Sequence, residues 1–438
     1  MCNSANPTAP QLVKIESLNY NELTFDQFNR TDTSAIEEAK FFNRWWLDQM
    51  ECHQTYIFET IRKDTTHTSS PIIRQDGVVT NSAINFACYD YLGLSNDSIV
   101  HEAAKAALDK YGLSASSSPI LNGLVEPHQT CETSLNKFLG EKDHAVALFP
   151  TGYSVNTGTI TSVLGPDHLC IIDECAHSSI VEGARHSGAR LLFFRHNNLD
   201  HMEGLLKKYS HKYSRKLVAV DALYSATGDY APLKDIVSIA KRFDCLVLAD
   251  EAHSMLIAGP NGRGVAAQED VLDNIDFLII TMSKSFGGFG GALYARKEAL
   301  KYVRWYSPER MFSCALPPMV AAGLETALSR SQDPDIVKRR KNLLKNSSIF
   351  RKRLNEAGFN TENSQSWIIP IVYGSEKKTL KLVDRLQRKG LHTNPMQYPA
   401  VRKGRARLRL FVSAMHEEED FDRALEILKL EKSLIIEK

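Results

Sequence analysis

Nowhere does the 438-residue sequence hold 18 consecutive apolar residues, so it offers no candidate for a membrane-spanning helix. It also has almost no net charge: 53 Lys and Arg stand against 52 Asp and Glu, leaving +1. A nucleic-acid binder carries a basic surplus, and that class of partner is disfavoured. No two of the eight cysteines form a C-x-x-C pair. Most lie in apolar strings such as Cys245-Leu246-Val247-Leu248, where a small buried thiol is the ordinary reading. Neither a zinc site nor a disulfide framework is expected, and the compartment reads as reducing. Met1 to Pro10 lack both a basic n-region and an apolar h-region, so a cytoplasmic location is expected. Internal repeats and low-complexity tracts are missing too. What is present is 43% apolar and 24% charged residues, close to the globular average, in a chain long enough for two or three domains.

Three segments follow from the texture. Residues 1–85 form an N-terminal arm with seven basic and eleven acidic residues, a net of −4. Within it, Phe42, Trp45, Trp46, Met50, Ile57 and Ile61 recur at helical spacing and predict an amphipathic helix from Thr33 to Arg62. Its polar face carries Glu37, Glu38, Asp48, Glu51 and Glu59, which favours packing on the protein over an anionic lipid surface. Gln75-Asp76-Gly77 between Ile72-Ile73 and Val78-Val79 predicts a hairpin. Residues 86–325 then alternate short apolar runs with helical segments. The runs are Ala145–Phe149, Leu169–Ile172, Leu191–Phe194, Leu217–Val220, Leu246–Ala249, Phe277–Ile280 and Ala292–Tyr294. This is the pattern of an α/β domain whose mostly parallel sheet is covered by helices. Residues 326–438 predict a smaller α+β domain, with helices at Asp335–Ala357 and Lys377–Arg388 and strands at Ile368–Val372 and Arg405–Val412. The run Lys338-Arg339-Arg340-Lys341 reads as a solvated helix face.

Open α/β sheets bind ligands at the C-terminal ends of their strands, and four such ends carry complementary groups. Ala145–Phe149 leads into Thr151-Gly152-Tyr153-Ser154 and a helix, a turn whose free N–H groups suit a phosphate. Leu246–Ala249 ends in Asp250-Glu251-Ala252-His253, a carboxylate and imidazole able to orient one heterocycle; a helix cap or a metal pair is the plainer alternative. Phe277–Ile280 ends in Thr281-Met282-Ser283-Lys284-Ser285 followed by Gly287-Gly288-Phe289-Gly290-Gly291. A lysine among hydroxyls and glycines is placed for desolvation, which makes its amine nucleophilic. After Leu169–Ile172 comes Asp173-Glu174-Cys175-Ala176-His177, whose imidazole can stack on a flat ring. No P-loop string occurs, and the glycine cluster does not open a helix after a first strand as a Rossmann fingerprint would. Phosphate cradle, ring-nitrogen carboxylate, Schiff-base lysine and stacking imidazole together point to pyridoxal 5'-phosphate.

With these residues goes a resemblance. Tyr91-Leu92-Gly93, Ile120-Leu121-Asn122-Gly123, Tyr224-Ser225-Ala226-Thr227-Gly228-Asp229, Asp250–Ser254, Gly259–Gly264, Thr281–Gly291 and Arg405–Arg409 with Ser413-Ala414-Met415-His416 resemble the α-oxoamine synthases, fold-type I pyridoxal phosphate enzymes. The matches run in order from about Tyr89 to His416, leaving the first 85 residues without a counterpart. The resemblance implies a homodimer with the active site at the subunit interface. It also implies condensation of an amino acid with an acyl thioester, acyl-CoA or a carrier-protein thioester, with loss of CO2. By motif, it implies that Lys284 forms the Schiff base, Asp250 binds the pyridine nitrogen, His253 the phenolic oxygen, and His177 stacks on the ring. Gly152, Tyr153, Thr281 and Ser283 would hold the phosphate, with Ser225 nearby, and Arg409 would grip the substrate carboxylate.

Two departures bear on the branch. Cys314 and Ala315 stand where a neighbouring subunit commonly supplies a hydroxyl to the phosphate, so that either Ser313 replaces it or the contact is lost. Tyr89 stands where biotin-pathway members carry asparagine, and Ala400 lacks their threonine hydroxyl. Tyr89 resembles the serine palmitoyltransferase branch, which implies serine, a long acyl chain and sphingolipid biosynthesis. Autoinducer aminoketone synthases and aminooxononanoate synthase share the skeleton and remain the alternative, followed by an aminotransferase or a non-catalytic partner subunit on the same fold. No metal is expected.

Overall fold

The computed structural model describes residues 33–53, 56–64, 68–398 and 400–432. Met1–Pro10 lies outside them, as do the side chains of Met50, Glu51 and Cys52. The first helix spans Ala35–His53 and stops short of the predicted end. Its periodicity continues on paper through Ile57 and Ile61, but Glu59 takes a left-handed φ of 52°, and Ile61 enters a strand paired with Ile73. Ile57 is buried and Ile61 is exposed, so the two no longer share a face.

The predicted hairpin forms. Strands β1 (Ile61–Arg62), β2 (Ser69–Ile73) and β3 (Val79–Asn85) build a small sheet, with Gly77 at φ 76° in the turn between β2 and β3. All seven apolar runs of the central segment are strands: β4 (His144–Phe149), β5 (Leu169–Asp173), β6 (Arg190–Phe194), β7 (Lys216–Asp221), β8 (Leu246–Asp250), β9 (Phe277–Thr281) and β10 (Gly291–Arg296). They form one sheet in the order β4-β10-β9-β8-β7-β5-β6, in which β10 alone runs against its neighbours. Helices between the strands cover both faces, so Ile171, Ile172, Val218, Ala219, Ile279 and Ile280 are fully buried. Burying an aliphatic side chain of this size contributes about 1.5–3 kcal/mol.

Beyond the sheet, helix Pro334–Glu356 leads to β11 (Ile368–Gly374), helix Glu376–Arg388, β12 (Leu391–His392), β13 (Asn394–Met396) and β14 (Ala406–Phe411). Strands β11, β14 and β13 form an antiparallel sheet, while β12 pairs in parallel with β3 and so joins the hairpin of the arm. The basic run on helix Pro334–Glu356 departs from expectation. Lys338 and Lys341 are exposed, but Arg340 is buried and donates to the carbonyls of Leu256 and Ser331, each at 2.8 Å. Arg339 reaches the carbonyl of Leu92 at 3.1 Å. Half of that run therefore ties the C-terminal segment to the large sheet's loops. No described helix is long and apolar enough to cross a membrane.

Candidate active site

A cavity of about 900 Å³ opens at the C-terminal ends of β5, β7, β8 and β9. Asp250 closes β8, and its register partner Asp221 closes β7. One Asp250 carboxylate oxygen accepts from the Asn156 amide at 2.7 Å, and the other accepts from the Ala252 N–H at 2.9 Å. Asp221 accepts from the His177 N–H at 3.0 Å. Burial, with the Asp250 charge beside it, raises the Asp221 pKa well above the carboxylate range. Asp221 is thus held toward its protonated form.

Lys284 follows β9 and lines the cavity half-buried. Its amine lies 2.9 Å from Nε2 of His253, whose Nδ1 lies 2.7 Å from the Tyr91 hydroxyl. Burial lowers the Lys284 pKa to about 8, with Arg409 adding to the shift while Asp250 and Asp221 oppose it. Burial also pushes His253 well below the usual imidazole range and keeps it neutral. The result is a cation poised to lose its proton near neutral pH, next to a neutral acceptor.

The residues predicted from strand ends and from the family resemblance converge on this cavity: Tyr89, Gly152, Tyr153, His177, Ser225, Asp250, His253, Thr281, Ser283, Lys284 and Arg409 all line it. Thr151 caps helix Gly152–Val163 by accepting from the Ser154 N–H, leaving the helix's first amides directed at the cavity. Gly152 is required there, because a Cβ would lie 2.0 Å from the Thr281 hydroxyl oxygen. His177 caps helix Ser178–His186, with Nδ1 2.7 Å from the Ser179 hydroxyl. Arg409, on β14, donates to the Ser225 carbonyl at 3.1 Å and lies 4.5 Å from the Phe411 ring centroid. Ser313 is not brought into the cavity of its own chain; its hydroxyl donates to the Glu309 carbonyl.

These residues fit pyridoxal phosphate. Nε of Arg409 and Oδ1 of Asn156 are buried with no hydrogen-bond partner among the described residues, both at the cavity. The Gly152–Thr281 approach clears a backbone cradle, and a depressed lysine stands opposite a buried carboxylate. The comparisons agree. Residues 81–428 match the aminotransferase class I and II family model. A serine palmitoyltransferase of Bacteriovorax stolpii is 34% identical over 79% of this chain and 81% of its own length. An 8-amino-7-oxononanoate synthase of Petrotoga mobilis is 33% identical over 80% of this chain and 89% of its own. The solved serine palmitoyltransferase of S. paucimobilis with a bound PLP-myriocin aldimine superposes with a TM-score of 0.85 at 28% identity, covering 92% of this chain and 99% of that one. The chain belongs to the α-oxoamine synthase family. It is a pyridoxal phosphate-dependent acyltransferase of the decarboxylative-condensation type, on the fold-type I architecture.

Several groups of this α-oxoamine synthase site are not among those predicted from the sequence. Asp221 occupies the same kind of strand end as Asp250 and was open to the same argument. Asn156 and Ser179 form a relay: the Asn156 amide donates to both Asp250 and Ser179, and Ser179 meets His177. Tyr91, inside the Tyr91-Leu92-Gly93 match, is fully buried against His253. Nothing local in sequence marks Asn156 or Ser179 as a site residue, since their roles are defined by the contact with Asp250.

Proposed function

We propose that this enzyme condenses L-serine with a long-chain acyl thioester, acyl-CoA in preference to a carrier-protein thioester, giving an α-aminoketone, CO2 and free thiol, as in sphingolipid biosynthesis. The reading includes a cytoplasmic homodimer. The observation that carries the choice of substrates is Tyr89. Its ring centroid lies 6.0 Å from the Lys284 amine, and it lines both the main cavity and a second one of about 560 Å³ that shares Ser283 and Arg409. The bulk at this position is what aligns the site with the serine palmitoyltransferase branch. The relatives named 8-amino-7-oxononanoate synthase, at similar identity, support the second reading: another α-oxoamine synthase acting on a different amino acid.

When bound, pyridoxal phosphate supplies an electron sink for the pair left at the amino-acid Cα. Gly152, Tyr153, Thr281 and Ser283 hold its phosphate, Asp250 its ring nitrogen, and His253 its phenolic oxygen, with Ser225 alongside. Arg409 grips the substrate carboxylate through its fork. Lys284, whose lowered pKa makes its free amine accessible close to neutral pH, accepts the Cα proton. The new bond joins Cα to the thioester carbonyl carbon, and the C–S bond breaks with its electron pair on the thiol sulfur. The Cα–carboxylate bond then breaks to release CO2, and a proton returns to Cα; His177 is the donor placed to assist at the carboxylate or carbonyl. Support for the dimer comes from Leu113, Leu121 and Phe312, which are 70%, 79% and 82% exposed on segments joined by the Ala315–Ser117 hydrogen bond. In this reading Ser313, in the same region, would serve the partner's phosphate.

The test takes two steps. Protein reconstituted with pyridoxal phosphate should absorb in the near-visible region, and Lys284→Ala should not. Serine should then shift that absorbance more than alanine or glycine, and thiol release should rise with acyl-CoA chain length. Release with alanine and short thioesters alone would replace this reading with the second one.

A further inference from the structure

We propose that His196 is a positioning residue: its imidazole bridges Asp173 and Asp229 and thereby fixes the His177 turn relative to the Arg409 contact. The inference rests on the roles of His177 and Arg409 given above. His196 lies just past β6, where its Nδ1 is 3.0 Å from Asp173 and its Nε2 is 2.9 Å from Asp229. A neutral imidazole has one N–H, and two carboxylates facing both nitrogens require two, so the ring is an imidazolium. Burial opposes that charge, but the hydrogen bonds to Asp173 and Asp229 outweigh it and raise the pKa to about 12.

Each carboxylate is anchored to a different half of the site. Asp173 is fully buried and accepts from the Cys175 and Asn197 N–H groups at 2.8 Å each, while its carbonyl accepts from Ala176 at 3.0 Å. The next residue is His177. Asp229 accepts from Thr227 at 2.5 Å and from the Asn197 amide at 3.1 Å, and its carbonyl accepts from the Tyr224 N–H at 3.0 Å. That closes the loop 224–229, whose Ser225 and Ala226 carbonyls hold Arg409 and Arg407, each at 3.1 Å. The edge of the imidazolium is also packed against Tyr224, 4.5 Å between centroids and perpendicular.

A metal is the competing reading, since ligand atoms of Asp173, Cys175 and His196 lie within 4.8 Å of one another. An ion on Nδ1 would replace the hydrogen bond to Asp173, and one on Nε2 would replace that to Asp229, which lies outside the set. The bridge therefore accounts for more of the observed contacts.

The experiment compares wild type, His196→Gln, Asp229→Asn and Arg409→Ala as holoenzymes. Near-visible absorbance reports cofactor uptake, titration with L-serine (L-alanine if serine gives no shift in wild type) reports amino-acid affinity, and thiol release reports kcat and KM. His196→Gln should keep the cofactor absorbance, weaken amino-acid affinity on the order of tenfold to a hundredfold and lower kcat, as a site displaced by about 1 Å does. His196→Arg, which restores a cation with two N–H edges, should recover part of both. If His196→Gln fails to take up cofactor, Asp229→Asn decides by the same readouts. A His196→Gln protein that loses only thermal stability, with affinity and kcat within twofold of wild type, overturns the proposal. So does one equivalent of a transition metal in the purified wild type. If Arg409→Ala leaves amino-acid affinity intact, the reading of Arg409 fails, and the inference falls with it.

Discussion

The depressed amine of Lys284 makes a prediction that needs neither substrate. Its pKa is about 8 instead of 10.5. At pH 8 half of these amines are free base, against about one in 300 for an amine two and a half units higher, an advantage of about 150-fold. Lower basicity costs some intrinsic nucleophilicity; at the slope of about 0.4–0.5 seen for thiolates, the loss is about tenfold. A net advantage of about tenfold remains at pH 8. The assay is competitive acetylation of cofactor-free protein with limiting acetic anhydride between pH 6.5 and 10.5, read by peptide mass spectrometry, with exposed Lys341 reporting the reagent. Lys284 should titrate with a midpoint near 8. Asp250→Asn should move the midpoint lower still, because it removes an anion that favours the charged amine. A midpoint above 10, or one that rises in Asp250→Asn, would refute the desolvation argument.

Four further outcomes can be checked. Gly152→Ala places a Cβ 2.0 Å from the Thr281 oxygen and should cost about 1–3 kcal/mol in denaturant unfolding, together with weaker cofactor uptake. Tyr91→Phe removes the 2.7 Å contact to His253 and should destabilise by about 1–3 kcal/mol while slowing turnover, measured by unfolding and thiol release. Arg409→Lys loses the planar fork and should raise the amino-acid KM about tenfold or more with cofactor absorbance intact. For His196, the folded pKa of about 12 lies above the ordinary 6.5, so its stabilisation is complete below pH 6.5 and declines as pH rises toward 12. The stability deficit of His196→Gln should therefore shrink between pH 7 and pH 10, and a deficit that grows would contradict the imidazolium.

The seven strands of the large sheet were legible because a strand buried on both faces is a continuous apolar run, as in Leu217–Val220 and Phe277–Ile280. Where a segment's fate was decided by a distant partner, periodicity misled. The apolar spacing through Ile57 and Ile61 is helical, yet the chain turns at Glu59 because pairing of Ile61 with Ile73 competes with one more helical turn. The run at Lys338–Lys341 looks uniformly solvated, yet Arg340 is drawn inward by two carbonyls of residues 84 and 9 positions away.

The site divides along the same line. Lys284 among hydroxyls and glycines, and Asp250 with His253 three residues on, drew notice by type and strand-end placement, whereas Arg409 was marked by the family resemblance. The groups that hold them are ordinary: an asparagine 94 residues from Asp250 and a tyrosine 162 residues from His253. Asp221 was available to the strand-end rule, but an isolated aspartate there is commonplace. What singles it out is adjacency to Asp250 across β7 and β8, which depends on a strand order that the chain does not spell out. His196 is the extreme case. Its neighbours in sequence, Arg195 and Asn197, suggest only a polar turn, and its role exists solely because Asp173 and Asp229 arrive from two other segments. Groups that do chemistry are thus readable from residue type and local placement. Groups that position them become readable only once the sheet has brought their partners within 3 Å, and for that reason the positioning residues are where mutagenesis guided by structure adds most.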